Sequence, residues 1–344
     1  MPDRAAAGAA VTTTGAARPA ADDIESRLEQ YRAELTGYCY RMMGSAFEAE
    51  DAVQETMLRA WRSIDRFEGR AALKSWLYRI ATNVCLTMLD ARGRRARPMD
   101  FGPAGTIDGS LATQPEATWL EPMPDDRVMP TDGDPAELAM SRETLRLAFV
   151  AALQHLPARQ RAVLILRDVL RWQASEVAEL LETSVVSVNS TLQRARATLA
   201  ARNVEVGDPA PPMDAADRAL LARYVDAFES YDIDKLVALL HEEATLSMPP
   251  YELWLQGLAS LRGWFLGPGC HCRGSVLIPV EANGSPAYGQ YRPSGPGGAH
   301  EPWALQVIDV SDGRIVAINS FLDTARLFPL FGLPIAPPAA EHVG

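Results

Sequence analysis

Two clusters of proline cut this chain into separate folding units. Pro98, Pro103, Pro115, Pro122, Pro124, Pro130 and Pro135 fall within residues 98–137, and Pro209, Pro211 and Pro212 form a second group. Proline lacks a backbone N–H and its ring clashes with the preceding helical turn, so no long helix crosses either cluster. On both sides of the first cluster, apolar residues recur at helical spacing. Leu28, Tyr31, Leu35, Tyr38, Cys39 and Met42 begin the series. Val53, Met57, Leu58 and Trp61 continue it, then Leu73, Trp76, Leu77, Ile80, Ala81 and Val84. Leu145, Leu147, Val150, Leu153 and Leu156 resume it beyond the prolines. After Pro212 the pattern is mixed. Helices are expected at Arg218–Phe228 and Ile233–Leu240, then strands at 244–248, 275–279, 287–291, 303–310 and 315–321. Asp312-Gly313 reads as the tight turn between the last two. The expected organisation is multidomain. A disordered arm spans 1–22 and an all-helical domain 23–97. An extended acidic linker follows at 98–137, then a second all-helical domain at 138–206. An α+β domain with a bent antiparallel sheet spans 215–334, and a tail 335–344.

Charge is distributed along the same divisions. The 344 residues carry a formal net charge of -11, which opposes non-specific DNA binding by the chain as a whole. Yet residues 31–100 hold 12 Lys/Arg against 9 Asp/Glu, and residues 141–206 hold 9 against 6. Residues 101–140 hold 1 against 8, and residues 207–344 hold 8 against 16. A nucleic-acid role can therefore lie in the two helical blocks, while the acidic parts are expected to repel DNA, to mimic it or to dock on basic protein surfaces. The linker contains one apolar island, Trp119-Leu120. It is expected either to tether the domains or to lie along a positively charged channel.

No run of about 18 apolar residues occurs, so no membrane span is expected. The first residues lack an apolar signal core and read as an arm rather than a targeting peptide. Cys39, Cys85, Cys270 and Cys272 are too scattered for a disulfide framework, which fits a reducing cytoplasm. Cys270-His271-Cys272 has the wrong spacing for half a zinc site. No metal and no cofactor are expected.

Two stretches carry the chemistry of a nucleic-acid binder. From Phe67 to Arg97, the aromatics Phe67, Trp76 and Tyr78 interleave with Lys74 and Arg79, and the stretch closes on Arg92, Arg94, Arg95 and Arg97. Bases stack on rings while cations meet phosphates. A buried amphipathic helix with a solvated basic end has the same pattern. From Gln173 to Ala200 the sequence has the form of a helix-turn-helix. A short helix ends at Leu181, Glu182-Thr183 turn, and Ser184 caps the next helix. Val188, Leu192 and Ala195 face inward, leaving Asn189, Ser190, Gln193, Arg194 and Arg196 outward. Asn and Gln suit adenine edges and Arg suits guanine. A plain helical hairpin is the competing reading.

The order of these parts is similar to that of a known family. DAVQETMLRAW (51–61) and LKSWLYRIATNVCL (73–86) resemble region 2 of the extracytoplasmic-function (ECF) sigma factors of the sigma-70 family. Residues 156–199 resemble region 4 of that family. Residues 215–334 resemble the cone-shaped SnoaL-like domain that one actinobacterial subset carries, with SMPPYELWLQG (247–257) similar to a signature of that subset. The resemblance implies a cytoplasmic transcription factor, not an enzyme. Its partners would be the RNA polymerase core, through its β and β′ subunits, and promoter DNA. Asp51, Gln54, Glu55 and Leu58 would bind the polymerase. Phe67 and Asn83 would form the pocket for an unpaired −10 base, with Arg70, Lys74, Arg79, Arg92, Arg94 and Arg95 on the same strand. Ser187, Asn189, Ser190, Gln193, Arg194 and Arg196 would read the −35 element. Family members usually have basic residues where this chain has Asn189 and Thr191. Pro249, Pro250, Tyr251, Trp254 and Gly257 would form a regulatory segment.

Two functions remain open for the C-terminal part. It would regulate transcription in cis, with room for a small-molecule ligand, or it would convert a small molecule. Asp323, His241, His271 and His300 are the acid/base candidates for the second, without a recognisable catalytic spacing. Trp254, Trp264, Tyr288, Tyr291, Trp303 and Phe321 either fill its core or line a cavity.

Overall fold

The computed structural model describes residues 21–64, 67, 72–90, 93–129, 134–202 and 213–338, without the side chains of 21–24 and 135–137. Nearly all of the expected N-terminal arm, and residues 339–344 of the expected tail, lie outside the described residues.

The first unit is helical. It comprises α1 (Ala21–Glu29), α2 (Arg32–Met43), α3 (Ala46–Ser63) and α4 (Leu73–Asp90). Gly44 ends α2 in the left-handed region (φ 71), and its N–H bonds Tyr40 O. Ser45 then caps α3 by accepting from the Glu48 N–H at 3.2 Å. The second helical unit comprises α5 (Pro135–Leu145), α6 (Leu147–Leu153), α7 (Ala158–Leu164), α8 (Ala174–Leu180) and α9 (Val185–Ala200). A π-helical turn over Ile165–Val169 follows α7.

The C-terminal domain opens with α10 (Ala215–Glu229) and α11 (Ile233–Ala238), then β1 (Leu240–Ser247) and β2 (Trp254–Gln256). α12 (Leu258–Leu266), β3 (Val276–Ala282), β4 (Ser285–Arg292), β5 (Glu301–Ser311), β6 (Arg314–Phe321) and α13 (Thr324–Leu330) complete it. The sheet order is β2-β1-β6-β5-β4-β3. Asp312 (φ 49) and Gly313 (φ 67) make the expected turn between β5 and β6. The sheet is not wholly antiparallel, because β1 pairs with β6 in parallel. The chain leaves β1 at one side, builds β3 to β5 across the sheet, and returns to place β6 between β5 and β1.

Alternation along the strands gives the sheet two apolar faces. Ile308 and Ile318 meet Leu220, Tyr224, Phe228, Leu236 and Leu261 of the helices α10–α12. Leu305, Val307 and Phe321 join a second core. That second core is continuous through α13, the linker residues Leu120 and Met123, and both helical units. The two helical units and one face of the sheet therefore share one interior.

The linker lacks long helices, as its prolines require, but it is not a loose tether. Trp119, Leu120 and Met123 are buried. Its backbone bonds α2's end (Glu121 N–H to Gly44 O, 3.0 Å). The acidic segment thus lies against its own chain.

Candidate nucleic-acid interface

Two buried arginines join the helical units to each other. Arg41 of α2 donates to Thr144 Oγ1 at 2.8 Å and Thr144 O at 3.2 Å. Arg161 of α7 donates to Leu153 O (2.9 Å), Leu156 O (3.1 Å) and Gln154 Oε1 (2.8 Å), and reaches back to Met42 O at the end of α2. Carbonyls rather than carboxylates satisfy both cations, and burial pulls each pKa down to about 10. Nothing in the sequence marked either arginine, since most of their acceptors are backbone carbonyls and the rest are a neutral hydroxyl and amide.

The expected −10 surface is only partly free. Phe67 lies against Trp76, with ring centroids 5.2 Å apart, and Asn83 is exposed on α4. Lys74 pairs with Glu34 at 2.5 Å. Arg79 pairs with Glu179 of α8 at 3.8 Å, so the second helical unit occupies part of that surface. Arg94 is exposed and contacts the His155 ring. Arg95 departs from expectation: it is 6% exposed, not a surface cation. Glu48 (2.9 Å) and Glu121 (3.6 Å) hold it, and their carboxylates offset the cost of taking the cation out of water. Arg70 and Arg92 lie outside the described residues.

The helix-turn-helix takes the expected form. α8 ends at Leu180, Glu182 adopts φ 52, and Ser184 Oγ accepts the Ser187 N–H at 3.1 Å. Val188, Leu192 and Ala195 are buried. Asn189, Ser190, Gln193 and Arg194 are exposed and Ser187 is half-buried. Arg196 is exposed but engaged: its guanidinium forks onto Asp168 at 2.8 and 2.7 Å. On α3, Asp51, Gln54 and Leu58 are exposed, Glu55 pairs with Arg59, and Trp61 is 57% exposed.

Residues 28–95 match the Sigma-70 region 2 family model, residues 146–199 match Sigma-70, region 4, and residues 221–318 match the SnoaL-like domain. The chain is 47% identical to the ECF RNA polymerase sigma factor SigG of Mycobacterium tuberculosis over 317 residues, 91% of this chain and 84% of that protein. The chain belongs to the ECF sigma factors. SigW of Bacillus subtilis, another ECF sigma factor, is 29% identical over 178 residues, 52% of this chain and 87% of its own. The crystal structure of M. tuberculosis SigJ shares the fold of this sigma factor. It matches with a TM-score of 0.60 at 23% identity, over 90% of this chain and all of that one.

As a sigma factor it binds RNA polymerase core and promoter DNA. Among its described residues, no helix is long and apolar enough to cross a membrane. The segment similar to the subset signature meets the linker. Gln114 N–H bonds Pro250 O (3.1 Å) and Glu252 N–H bonds Ala112 O (3.0 Å). Trp254 Nε1 donates to Gly102 O (3.0 Å) and its carbonyl accepts from Gly105 (2.8 Å). Tyr251 bridges Thr113, Leu322 N–H bonds Pro249 O (3.1 Å), and Gly257 turns the chain at φ 85.

The acid/base candidates of the C-terminal domain are not assembled into a site. His241 accepts from the Glu243 N–H, His300 bonds Gly274 O, His271 is exposed, and Asp323 sits 3.7 Å from Arg326. The domain interior instead holds a relay the sequence did not disclose. Tyr224 Oη donates to Gln306 (2.7 Å), Gln306 to Gln290 (2.8 Å), and Gln290 to Ser275 (3.0 Å). Of the expected aromatics, Trp264, Tyr288, Tyr291 and Phe321 are buried. Trp254 and Trp303 are half-buried, and Arg292 stacks on the Trp303 ring.

Proposed function

We propose that this sigma factor docks on the polymerase β′ subunit through α3, in the cytoplasm, and that its C-terminal domain holds the two promoter-binding units closed. The observation that carries this is the shared interior of the two helical units and the sheet. The −10 and −35 elements lie about 25 base pairs apart, or roughly 85 Å of duplex at 3.4 Å per pair. Here α4 and α8, one from each unit, touch through Arg79 and Glu179. One chain cannot span both elements in that arrangement, so promoter engagement requires opening.

The C-terminal domain supplies the clasp. The tip of the β3–β4 hairpin enters the junction of α2, the linker and α5. There Asn283 bonds Tyr40, Met123 and Leu145. On the other side α13 sends Arg326 onto the Phe47 ring at the start of α3, 3.8 Å from its centroid. Asp51, Gln54 and Leu58 stay exposed beside it. Polymerase docking is thus compatible with the closed form, and the regulated step is DNA engagement. Once open, Phe67 and Asn83 would take the −10 base, with Lys74 and Arg79 on phosphates. A ligand that biases opening has room in a cleft of about 700 Å³ between α5 and the sheet, lined by Arg142, Arg146, Glu281 and Tyr288 among others.

A small-molecule-converting domain has less support, given the dispersed acid/base candidates. Run-off transcription with core polymerase tests the proposal. Asn283→Ala should raise output above the wild-type chain at equal protein. Output that falls or stays level counts against an inhibitory clasp.

A further inference from the structure

We infer that α9 reads its promoter element through a neutral stripe that selects A·T pairs, with Val186 against a thymine methyl and Asn189 against an adenine edge. This rests on the reading of α9 as the −35 recognition helix. Val186, Asn189, Ser190 and Gln193 recur at intervals of three and four, which places them on one face of a helix. All four are exposed, and Val186 is 78% exposed. The opposite face, Val188, Leu192 and Ala195, is buried.

The charges of α9 are not on that stripe. At 100° per residue, Arg194 and Arg196 lie about 80° to either side of Val186. Arg194 is steadied by Thr191 at 3.1 Å, and Arg196 is forked onto Asp168. Cations on both flanks of a neutral stripe match the cross-section of a major groove, where phosphates form the walls and base edges the floor. From Arg146 to Arg202 this unit carries eight arginines against four acids, so the face meets a polyanion favourably.

The chemistry of the stripe then decides the bases. Guanine O6 and N7 call for Arg or Lys, and cytosine N4 for Asp or Glu. The stripe offers none of these. Asn fits the N6/N7 pair of adenine, and an apolar side chain fits the thymine methyl. A single exposed valine is ordinary on a protein surface. What gives Val186 meaning is its place on the first turn of the recognition helix, where base contacts concentrate.

The test uses the full chain reconstituted with core polymerase and a promoter library randomised across the −35 element. A·T pairs should be selected at adjacent positions. Replacing the selected thymine by deoxyuridine removes only the methyl and should weaken wild-type binding about three- to five-fold. Val186→Ala, which withdraws two methyl groups from that contact, should shrink the difference between the two bases. Replacing the adenine by 7-deazaadenine should cost five-fold or more, and Asn189→Arg should move the preference at that position to guanine. Selection of G·C pairs by the wild type, or indifference to deoxyuridine at every selected thymine, overturns the inference while leaving α9 as the reader. Absence of any −35 preference overturns the underlying reading as well.

Discussion

Asn283 is fully buried at the tip of a hairpin, and each polar atom of its side chain is used. Nδ2 donates to Tyr40 Oη at 2.6 Å and to Leu145 O at 2.7 Å, and Oδ1 accepts the Met123 N–H at 2.9 Å. Its φ of 58 is one that Asn tolerates better than most residues. Alanine would remove hydrogen bonds to three segments and leave the Met123 N–H without this acceptor, while Tyr40 Oη keeps its bond to Glu121 O. The cost is about 1–3 kcal/mol for a buried group left unpaired. Urea unfolding of Asn283→Ala should therefore show a markedly lower midpoint, and an unchanged midpoint would remove Asn283 from the clasp. Nearby Asp125 accepts the Gly284 N–H at 2.8 Å, yet burial raises its pKa to about 6. A carboxyl whose folded pKa lies above its unfolded value weakens the folded state once it ionises. The destabilisation is absent below about pH 4 and complete above about pH 7, at most about 3 kcal/mol. Asp125→Asn should therefore raise the melting temperature at pH 7.5 and lose that advantage near pH 4. The reverse order would show that ionised Asp125 stabilises the fold. His155 acts in the opposite sense, since burial lowers its pKa, so only the difference between variant and wild type isolates Asp125. These roles were not legible in sequence. Asn283-Gly284 carries turn chemistry, but the partners of Asn283 lie over a hundred residues away. Arg95 was legible as a cation, but its burial was not, because Glu48 and Glu121 reach it only after folding.

Elements were easier to read than their contacts. The α8–α9 turn was legible down to the Ser184 cap, because capping and helical periodicity act over a few residues. β2 and α12 were not foreseen: the strand is three residues long, and α12 lies in a run with aromatics and glycines. The linker was legible as helix-free but not as bound, since its apolar content is confined to an island that only the folded partners explain. The α2–α3 turn tests that binding. A Cβ on Gly44 would lie 2.9 Å from Leu120 Cδ1 and 3.0 Å from Gln154 Cδ, at a φ of 71. Gly44→Ala should thus displace linker and second helical unit together, costing about 1–3 kcal/mol. Gly93→Ala, whose added Cβ meets nothing within 4 Å, is the control. A thermal melt separates the two, and equal melting temperatures would mean the linker is not held against this turn.

At the scale of the molecule, closure draws on interactions of different kinds. Apolar burial along the shared core is reinforced by the Arg41 and Arg161 hydrogen bonds and by the Asn283 clasp. Exposed pairs such as Arg79–Glu179 add little, because water and salt screen them. On the proposed closed form, opening would have a substantial cost in the free chain and would require polymerase and promoter contacts that favour the extended form. A ligand shifts such an equilibrium only by its difference in affinity for the two forms. With α3 as the proposed docking helix, exposed already, polymerase alone should shift it less than polymerase with promoter. Dyes at Thr87 on α4 and Ala200 on α9, both exposed, would report this by energy transfer. Transfer should be high in the free chain and remain largely high with core polymerase. It should collapse when promoter DNA is added, as the two units separate by tens of ångströms to reach elements roughly 85 Å apart. Asn283→Ala should lower the transfer already in the absence of DNA. If transfer in the wild-type chain is unchanged by promoter while transcription proceeds, the two units do not need to part, and the closed arrangement is not what restrains this sigma factor.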